Sequence, residues 1–162
     1  MKIRCAKTED AQHIIDIYNW YIVNTIITFE TDPVSFAEMQ ERIGEKLQNH
    51  DWLIAEIDNE IIGYAYYGVF RVRVAYRHTV ESTIYLSKEY KGRGLGMPLY
   101  SALIDSAKNK GFREMLGVIA LPNPESIKFH KKSGFNDAGT LKNIGFKFGR
   151  YIDVAILQKT IV

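Results

Sequence analysis

Apolar residues recur at helical spacing in four segments of the chain, each of which predicts an amphipathic helix. Ser35 and Glu38 form a capping-box pattern before the second segment, and Gly111 follows the third, where a left-handed residue favours helix termination. Asn123 precedes a proline, a good cap and first turn for the fourth. The predicted helices are Thr8–Val23, a helix beginning after Ser35, Gly94–Lys110 and Pro124–Ser133.

Seven shorter apolar segments predict strands, and Asp58-Asn59-Glu60 between two of them is typical of a hairpin turn. The segments Thr25–Pro33 and Gly68–Thr79 are predicted as loops. The order βααβββαβαββ favours an α/β fold, a central mixed sheet flanked by about four helices. The predicted strands are Ile3–Cys5, Trp52–Ile57, Ile61–Tyr67, Val80–Leu86, Met115–Leu121, Phe135–Leu141 and Arg150–Leu157.

Composition narrows the class of protein. The chain has 162 residues, enough for one core, and no Pro/Gly/Ser-rich linker, so we expect a single domain over residues 1–162. The net charge of +2 argues against a strongly basic nucleic-acid binder. We expect a cytoplasmic protein, because no apolar stretch is long enough to span a membrane and no apolar core follows the charged N-terminus. Cys5 is the single cysteine, so no disulfide and no cysteine-based metal site are expected, and we predict that it is buried on the first strand.

The segment Lys91-Gly92-Arg93-Gly94-Leu95-Gly96 lies between a predicted strand and a predicted helix. Glycines there allow backbone N–H groups to approach an anion at a helix N-terminus, which favours a phosphate or pyrophosphate ligand. A P-loop is excluded because Met97-Pro98 follows the last glycine, and a dinucleotide fingerprint fails because Met97 or Leu99 stands where it requires glycine. The alternative is a turn whose glycines serve local geometry alone.

This loop resembles the pyrophosphate loop of the GNAT superfamily of N-acetyltransferases, with Lys91 where the family has Arg or Gln. The run Asn123–Phe135 resembles the family's Asn-x-x-Ala/Ser…Tyr/His…Gly-Phe segment, and the resemblance covers essentially the whole chain. It implies the acyl-CoA N-acyltransferase fold and acetyl-CoA as cosubstrate, with no metal. It assigns acetyl-CoA binding to Ile84, Tyr85, Leu86, Lys91, Gly92, Arg93, Gly94, Leu95, Gly96, Met97, Asn123 and Ser126, with a backbone N–H at Leu86 for the oxyanion.

Within that superfamily, the chain is similar to the phosphinothricin-type acetyltransferases. This likeness implies acetyl transfer to the amine of a small amino-acid-like compound such as phosphinothricin or methionine sulfoximine. It also implies a homodimer, for which exposed aromatic residues in Phe146–Tyr151 are a candidate interface. The residues that carry the likeness are Ala75-Tyr76, Thr79, Glu81–Tyr85, Leu121–Asn123, His130 and Gly145–Val154.

Glu81 is the candidate general base, since it is a carboxylate at the start of a strand that is otherwise apolar or hydroxylated. Strand periodicity places Glu81, Thr83 and Tyr85 on one face, opposite Ser82. Burial would raise the pKa of this carboxyl and make it a competent base for an ammonium substrate, directly or through a water. The alternative is a surface glutamate at the edge of a strand.

His130 is the second candidate catalytic residue, on the same helix face as Asn123 and Ser126. Most GNAT members have a tyrosine here that protonates the departing thiolate, and the phosphinothricin-type members have histidine. The resemblance therefore allows His130 to donate a proton to the thiolate or to assist the base. The alternative is a histidine exposed on the helix surface among lysines.

Two irregular segments are expected to wall an acceptor pocket beside Glu81, where an arginine can grip a carboxylate or phosphinate in bidentate fashion. Solvated loop arginines are the alternative, and Lys147 can face either the pocket or solvent. The candidate acceptor-binding residues are Phe29, Glu30, Arg73, Tyr76, Arg77 and Thr79. The basic residues expected to lie along the anionic CoA tail are Lys88, Lys91, Arg93, Lys128, Lys131 and Lys132.

Other functions stay open at this point. The same fold can act on a protein N-terminus, a lysine or an antibiotic, although a groove for an acidic peptide would be expected to expose more basic surface than +2 suggests. A non-catalytic acyl-CoA sensor is a further alternative, against which Glu81, Asn123 and His130 argue. Nucleic-acid binding is the weakest of these hypotheses.

Overall fold

The computed structural model describes residues Met1–Val162 and contains one seven-stranded mixed sheet with four α-helices, as predicted. The sheet order is β1-β2-β3-β4-β5-β7-β6, and every neighbouring pair is antiparallel except β4–β5. The strands are β1 Lys2–Cys5, β2 Trp52–Ile57, β3 Glu60–Val69, β4 Thr79–Leu86, β5 Glu114–Ala120, β6 Asn136–Lys147 and β7 Arg150–Thr160. The helices are α1 Ala11–Asn24, α2 Phe36–Leu47, α3 Gly96–Asn109 and α4 Pro124–Lys132.

The helices cover both faces of the sheet and create two hydrophobic cores. One core joins α1 and α2 to one face, with Ile14, Ile22 and Ile43 fully buried. The other joins α3 to the opposite face through Leu99 and Leu103. Because each face carries its own core, the two faces of β4 have different chemical surroundings. No helix is both long and apolar enough to cross a membrane.

Local signals in the sequence account for several element boundaries. The Ser35 hydroxyl accepts a hydrogen bond from the Glu38 N–H at 3.2 Å, which caps α2. Asp58 and Asn59 both have positive φ, at 51° and 65°, as a two-residue hairpin turn requires. Gly111 adopts φ of 84° just after α3. These predicted boundaries are confirmed.

Three expectations need correction. The first predicted helix begins as a short 3₁₀ turn, Thr8–Asp10, and is α-helical only from Ala11. The strand predicted to end at Leu141 continues to Lys147, since it pairs with β7 along a two-stranded edge. The prediction for Cys5 was wrong: it is exposed, because it lies on β1, an edge strand with only β2 beside it.

Candidate active site

The parallel strands β4 and β5 separate halfway along their length. Their pairing covers four residues of each strand and ends where Ser82 faces Gly117, although β4 continues to Leu86 and β5 to Ala120. On their other sides, β4 stays paired with β3 and β5 with β7. The separation therefore leaves a wedge-shaped opening, lined by strand backbone, in the middle of the sheet.

The backbone of β4 presents hydrogen-bonding groups to this opening. The Ser87 N–H donates to the Ile62 carbonyl at 2.8 Å, so the next opposed pair, Gly63 and Leu86, is of the non-hydrogen-bonded kind. The N–H and C=O of Leu86 consequently point away from β3, and the alternation of the ladder gives Ile84 the same direction. The Leu86 carbonyl accepts the Tyr21 hydroxyl at 2.6 Å. The Leu86 N–H is thus oriented toward the opening, as an oxyanion donor must be.

The glycine loop lies at the end of this opening, before α3. Gly92 and Gly94 have φ of 75° and 78°, values that favour glycine, and a Cβ at either position would meet no atom within 4 Å. The N-terminus of α3 has no side-chain cap, so its first N–H groups have no side-chain acceptor. Lys91 and Arg93 are exposed beside it. The glycine loop and the N-terminus of α3 together have the open backbone and the positive charge that favour a pyrophosphate ligand.

The other predicted acetyl-CoA residues divide into two groups. Ile84, Leu95 and Met97 are partly exposed near the loop, whereas Tyr85 is buried on the α1 side and Gly96 packs under Phe129. Asn123 accepts a hydrogen bond from the Ser126 N–H at 3.1 Å and so caps α4. Among the basic residues on α4, Lys131 is paired with Asp137 at 2.7 Å, while Lys128 and Lys132 are exposed.

Glu81 lies on the α2 face of β4, one residue before the strands separate. It is half-buried, and burial raises the pKa of its carboxyl, while the positive charge of Lys46 acts in the opposite direction. Its neighbour across the β3–β4 ladder is Gly68, a residue without a side chain. The Lys46 ammonium lies over that glycine, where a Cβ would collide with it. The carboxylate thus has a cation nearby and lies on the face of the sheet that α2 covers.

His130 lies on the opposite face of the sheet from Glu81. Its side chain is 6% exposed, and its ring packs over Gly117, whose Cβ would come within 2.6 Å of it. Nδ1 is 2.8 Å from the Ser126 carbonyl, which can only accept, so Nδ1 carries the proton and donates it. Burial lowers the pKa of His130, which favours the neutral imidazole, and in that form Nε2 is an acceptor.

The residues proposed for acceptor binding occupy two separate places. On the α1–α2 loop, Glu30 accepts two hydrogen bonds from Arg42, at 2.6 and 3.1 Å, and one from Tyr18. The Phe29 ring lies against Gly145 of β6. Lys147 is buried and donates to the Thr28 carbonyl at 2.8 Å, which fastens this loop to the β6–β7 hairpin.

The β3–β4 loop holds the second group of these residues. Arg73 and Arg77 are exposed and form no ion pair, and Tyr76 is half-buried under the guanidinium of Arg71. Thr79 begins β4, two residues before Glu81. This loop therefore offers two solvated guanidinium groups at the end of the strand that carries Glu81.

A cavity of about 470 Å³ between α2 and the sheet contains residues that sequence reasoning missed. It is lined by aromatic rings, among them Trp52, Tyr64 and Tyr66, together with Lys46 and Arg42 from α2. The indole N–H of Trp52 is buried without a hydrogen-bond partner. Lys46 follows from no motif; its one signal is its place on the inward side of an amphipathic helix. No group of three or more His, Cys, Asp or Glu side chains is arranged to hold a metal ion.

Comparison with known proteins gives a consistent result. A family model described as an acetyltransferase (GNAT) domain matches residues 3–156. The chain is 36% identical over 159 residues to the phosphinothricin N-acetyltransferase of Streptomyces viridochromogenes, covering 98% of this chain and 87% of the relative. It is 35% identical to an L-methionine sulfoximine/L-methionine sulfone acetyltransferase of Pseudomonas paraeruginosa, covering 96% of this chain and 92% of the relative.

A solved structure matches over nearly the full length as well. A GNAT superfamily phosphinothricin acetyltransferase from Sinorhizobium meliloti, solved in complex with AcCoA, superimposes with a TM-score of 0.95 at 39% identity. That comparison covers 98% of this chain and 87% of the solved one. With the family model matching most of its length, this chain belongs to the GNAT family of acetyltransferases.

Proposed function

We propose that this chain transfers the acetyl group of acetyl-CoA to the primary amine of a small amino-acid-like compound of the phosphinothricin or methionine sulfoximine type, with Glu81 as general base. The observation that carries the proposal is the position of Glu81. Its half-buried carboxylate lies at the point where β4 and β5 separate, on the face that carries the α2 cavity. The named substrates of the relatives from Streptomyces and Pseudomonas support this choice of acceptor.

Binding of acetyl-CoA is assigned to the opening and the glycine loop. The pyrophosphate is held by backbone N–H groups around Gly92 and Gly94 and by the N-terminus of α3, with Lys91 and Arg93 nearby. The outward-facing backbone of Ile84 and Leu86 offers the pantetheine amides a strand edge to pair with. The opening between β4 and β5 leaves room for this arrangement.

The chemical step needs no covalent enzyme intermediate. Glu81 accepts a proton from the acceptor's ammonium group, directly or through a water, and the free amine attacks the thioester carbonyl. The Leu86 N–H stabilises the oxyanion of the tetrahedral intermediate. Collapse of that intermediate breaks the C–S bond and leaves the acetyl group on nitrogen. The nitrogen loses its second proton, the departing thiolate takes it up directly or through water to leave as CoA, and Glu81 returns the first proton to solvent.

His130 is assigned a positioning role. As a neutral ring that donates Nδ1–H to Ser126, it has no proton available for the thiolate. Its ring lies over Gly117, the last β5 residue paired with β4. The imidazole therefore acts as a wedge that sets the place where the strands separate, and acts on the reaction only through that geometry.

Residues 1–162 form one acetyltransferase domain that works in the cytoplasm. The exposed aromatic side chains of the β6–β7 hairpin, Phe146, Phe148 and Tyr151, are the candidate surface for a homodimer. Arg73 and Tyr76 are assigned to the acceptor's carboxylate.

An amine panel tests the function. The purified protein is mixed with acetyl-CoA and phosphinothricin, methionine sulfoximine, methionine sulfone, common amino acids, an aminoglycoside or a peptide, and CoA release is followed with a thiol reagent. Turnover with the small amino-acid analogues is the expected result. Turnover with the peptide or aminoglycoside alone would transfer the activity to another acceptor class. Acetyl-CoA binding without thiol release from any amine would indicate a sensor.

A further inference from the structure

One of the two cations that line the cavity between α2 and the sheet forms no ion pair. Arg42 and Lys46 both line it, one turn apart on α2. Arg42 is bound by Glu30 and Glu38 at 2.6 and 2.5 Å. Lys46 forms no ion pair with any carboxylate within 4.0 Å, and its ammonium lies 5.2 Å from the centre of the Tyr66 ring. Of the two cations, Lys46 alone is available to a ligand.

The position of Lys46 is fixed by its surroundings. The residue is half-buried on the side of α2 that faces the sheet. Its ammonium occupies the space that a side chain at Gly68 would fill. Gly68 is the residue opposite Glu81 in the β3–β4 ladder, so the ammonium and the carboxylate are neighbours on one face of the sheet. Burial lowers the pKa of the Lys46 ammonium, while the charges of Glu81 and of Glu45, which also lines the cavity, act in the opposite direction. Lys46 thus connects the cavity to the general base.

The other surfaces of the cavity suit a small polar molecule. Its volume of about 470 Å³ lies within the range typical of ligand pockets. Its aromatic lining would exclude water from a bound side chain. A side chain that ends in oxygen acceptors would complement the Lys46 ammonium.

We propose that this cavity binds the side chain of the acceptor, and that Lys46 makes the enzyme prefer acceptors whose side chain ends in an anionic oxyacid group over those that end in a neutral sulfone. The inference rests on the proposed function, since it names the part of the acceptor that each group contacts. The amine is then directed to Glu81, and the anionic end of the side chain is paired with Lys46, the cation of the lining that forms no ion pair. A neutral sulfone gains a hydrogen bond there but no ion pair.

The test compares two acceptors in matched variants. Values of kcat/KM for phosphinothricin, which carries a phosphinate, and for methionine sulfone are measured at saturating acetyl-CoA in the wild type, Lys46→Met, Lys46→Arg and Lys108→Met. Lys108 is an exposed lysine of α3 without an ion pair and serves as the control. The preference for phosphinothricin over methionine sulfone should fall at least about tenfold in Lys46→Met, mainly through KM for phosphinothricin, and return in Lys46→Arg. The thermal midpoint and the KM for acetyl-CoA report whether each variant is folded.

The possible outcomes separate this inference from the function on which it rests. If Lys46→Met keeps the wild-type ratio, or slows both acceptors equally, the selective role of Lys46 is wrong while the proposed function stands. If its only effect is a shift of the acidic limb of the pH–rate profile, Lys46 acts on Glu81 and the inference is likewise overturned. If the wild type acetylates neither acceptor, the proposed function fails and the inference fails with it.

Discussion

Glu81 is a half-buried titratable group on β4, and His130 is a buried one whose ring packs over the adjacent strand β5. Their surroundings differ. Glu81 lies on the α2 face beside a cation and a cavity. His130 lies on the α3–α4 face among Tyr100, Phe129 and Phe135, with ring centres 5.1 to 5.7 Å apart within that group. Burial raises the pKa of Glu81 and lowers that of His130, so it favours the neutral form of each group. Of the two side chains, only that of Glu81 is partly exposed, whereas His130 is 6% exposed.

Both groups have a shifted pKa, so the shift alone does not tell which of them acts in acid–base chemistry. Their access to open space distinguishes them. Functional sites perturb pKa values, but so does ordinary burial in a core. The imidazole of His130 satisfies its one N–H inside its own helix and fills the space above a glycine. The carboxylate of Glu81 has no such internal partner, since the nearby Lys46 forms no ion pair with it. An acid–base role needs an unsatisfied group next to open space.

The largest expected effect is that of Glu81→Gln. Removing the base should lower kcat/KM for the acceptor by about 10²- to 10⁴-fold. The dissociation constant for acetyl-CoA should stay unchanged, because the glycine loop is untouched. Steady-state kinetics and calorimetric titration with acetyl-CoA in the absence of an acceptor measure the two quantities. Glu41→Gln, at an exposed carboxylate of α2, is the matched control. Wild-type turnover in Glu81→Gln would remove this residue from the mechanism.

The sequence predicted the elements well where periodicity or a cap marks them. Ser35, Gly111 and Asn123 are such positions, and each has the predicted local structure. The β6 strand was predicted too short because nearly all its residues are exposed, so no alternation of apolar and polar positions marks its second half. Cys5 was misplaced because composition favours burial, whereas the position of β1 at the sheet edge follows only from topology.

The site was predictable only in part, for a related reason. Strand periodicity placed Glu81 and Ser82 on opposite faces, and the hydrogen bond of Ser82 with Tyr100 and the nearby charge of Lys46 beside Glu81 agree with it. Helix periodicity predicted which side of its own helix carries His130. It did not predict which face of the sheet that helix covers. The placement of Glu81 and His130 on opposite faces of the sheet depends on how α4 packs against β5, which is a tertiary contact. Lys46 belongs to no motif, and only the tertiary structure brings it beside Glu81.

Gly117→Ala tests the assignment on the α3–α4 face. The added Cβ would lie within 2.6 Å of the His130 ring, which is enclosed by other rings and by the sheet. Because an enclosed ring has little room to move, we expect a loss of about 1–3 kcal/mol in the free energy of unfolding, measured by urea denaturation. A variant as stable as the wild type would show that this core is loosely packed and that His130 does not act as a wedge.

Gly68→Ala is the matching change on the α2 face. There the added Cβ would meet the ammonium end of Lys46, a flexible side chain that can turn aside. The free energy of unfolding should therefore change by less than about 1 kcal/mol. The displaced cation should instead lower kcat/KM for phosphinothricin severalfold. A large loss of stability with unchanged kinetics would reverse the contrast between the two faces.

The smallest expected effect is a difference in how the two groups make stability depend on pH. The folded pKa of His130 lies below its unfolded value of about 6.5, so the unfolded chain binds a proton first as the pH falls, and stability decreases below that pH. The slope from one such group is at most about 1.4 kcal/mol per pH unit. For Glu81 the folded pKa is raised, so stability is lost as the pH rises above about 4.3.

Urea denaturation between pH 4 and pH 8 should show a shallower acid-side decline in His130→Phe and a steeper one in Glu81→Gln. Parallel curves in the two variants would mean that burial does not raise the pKa of Glu81 and lower that of His130 as described.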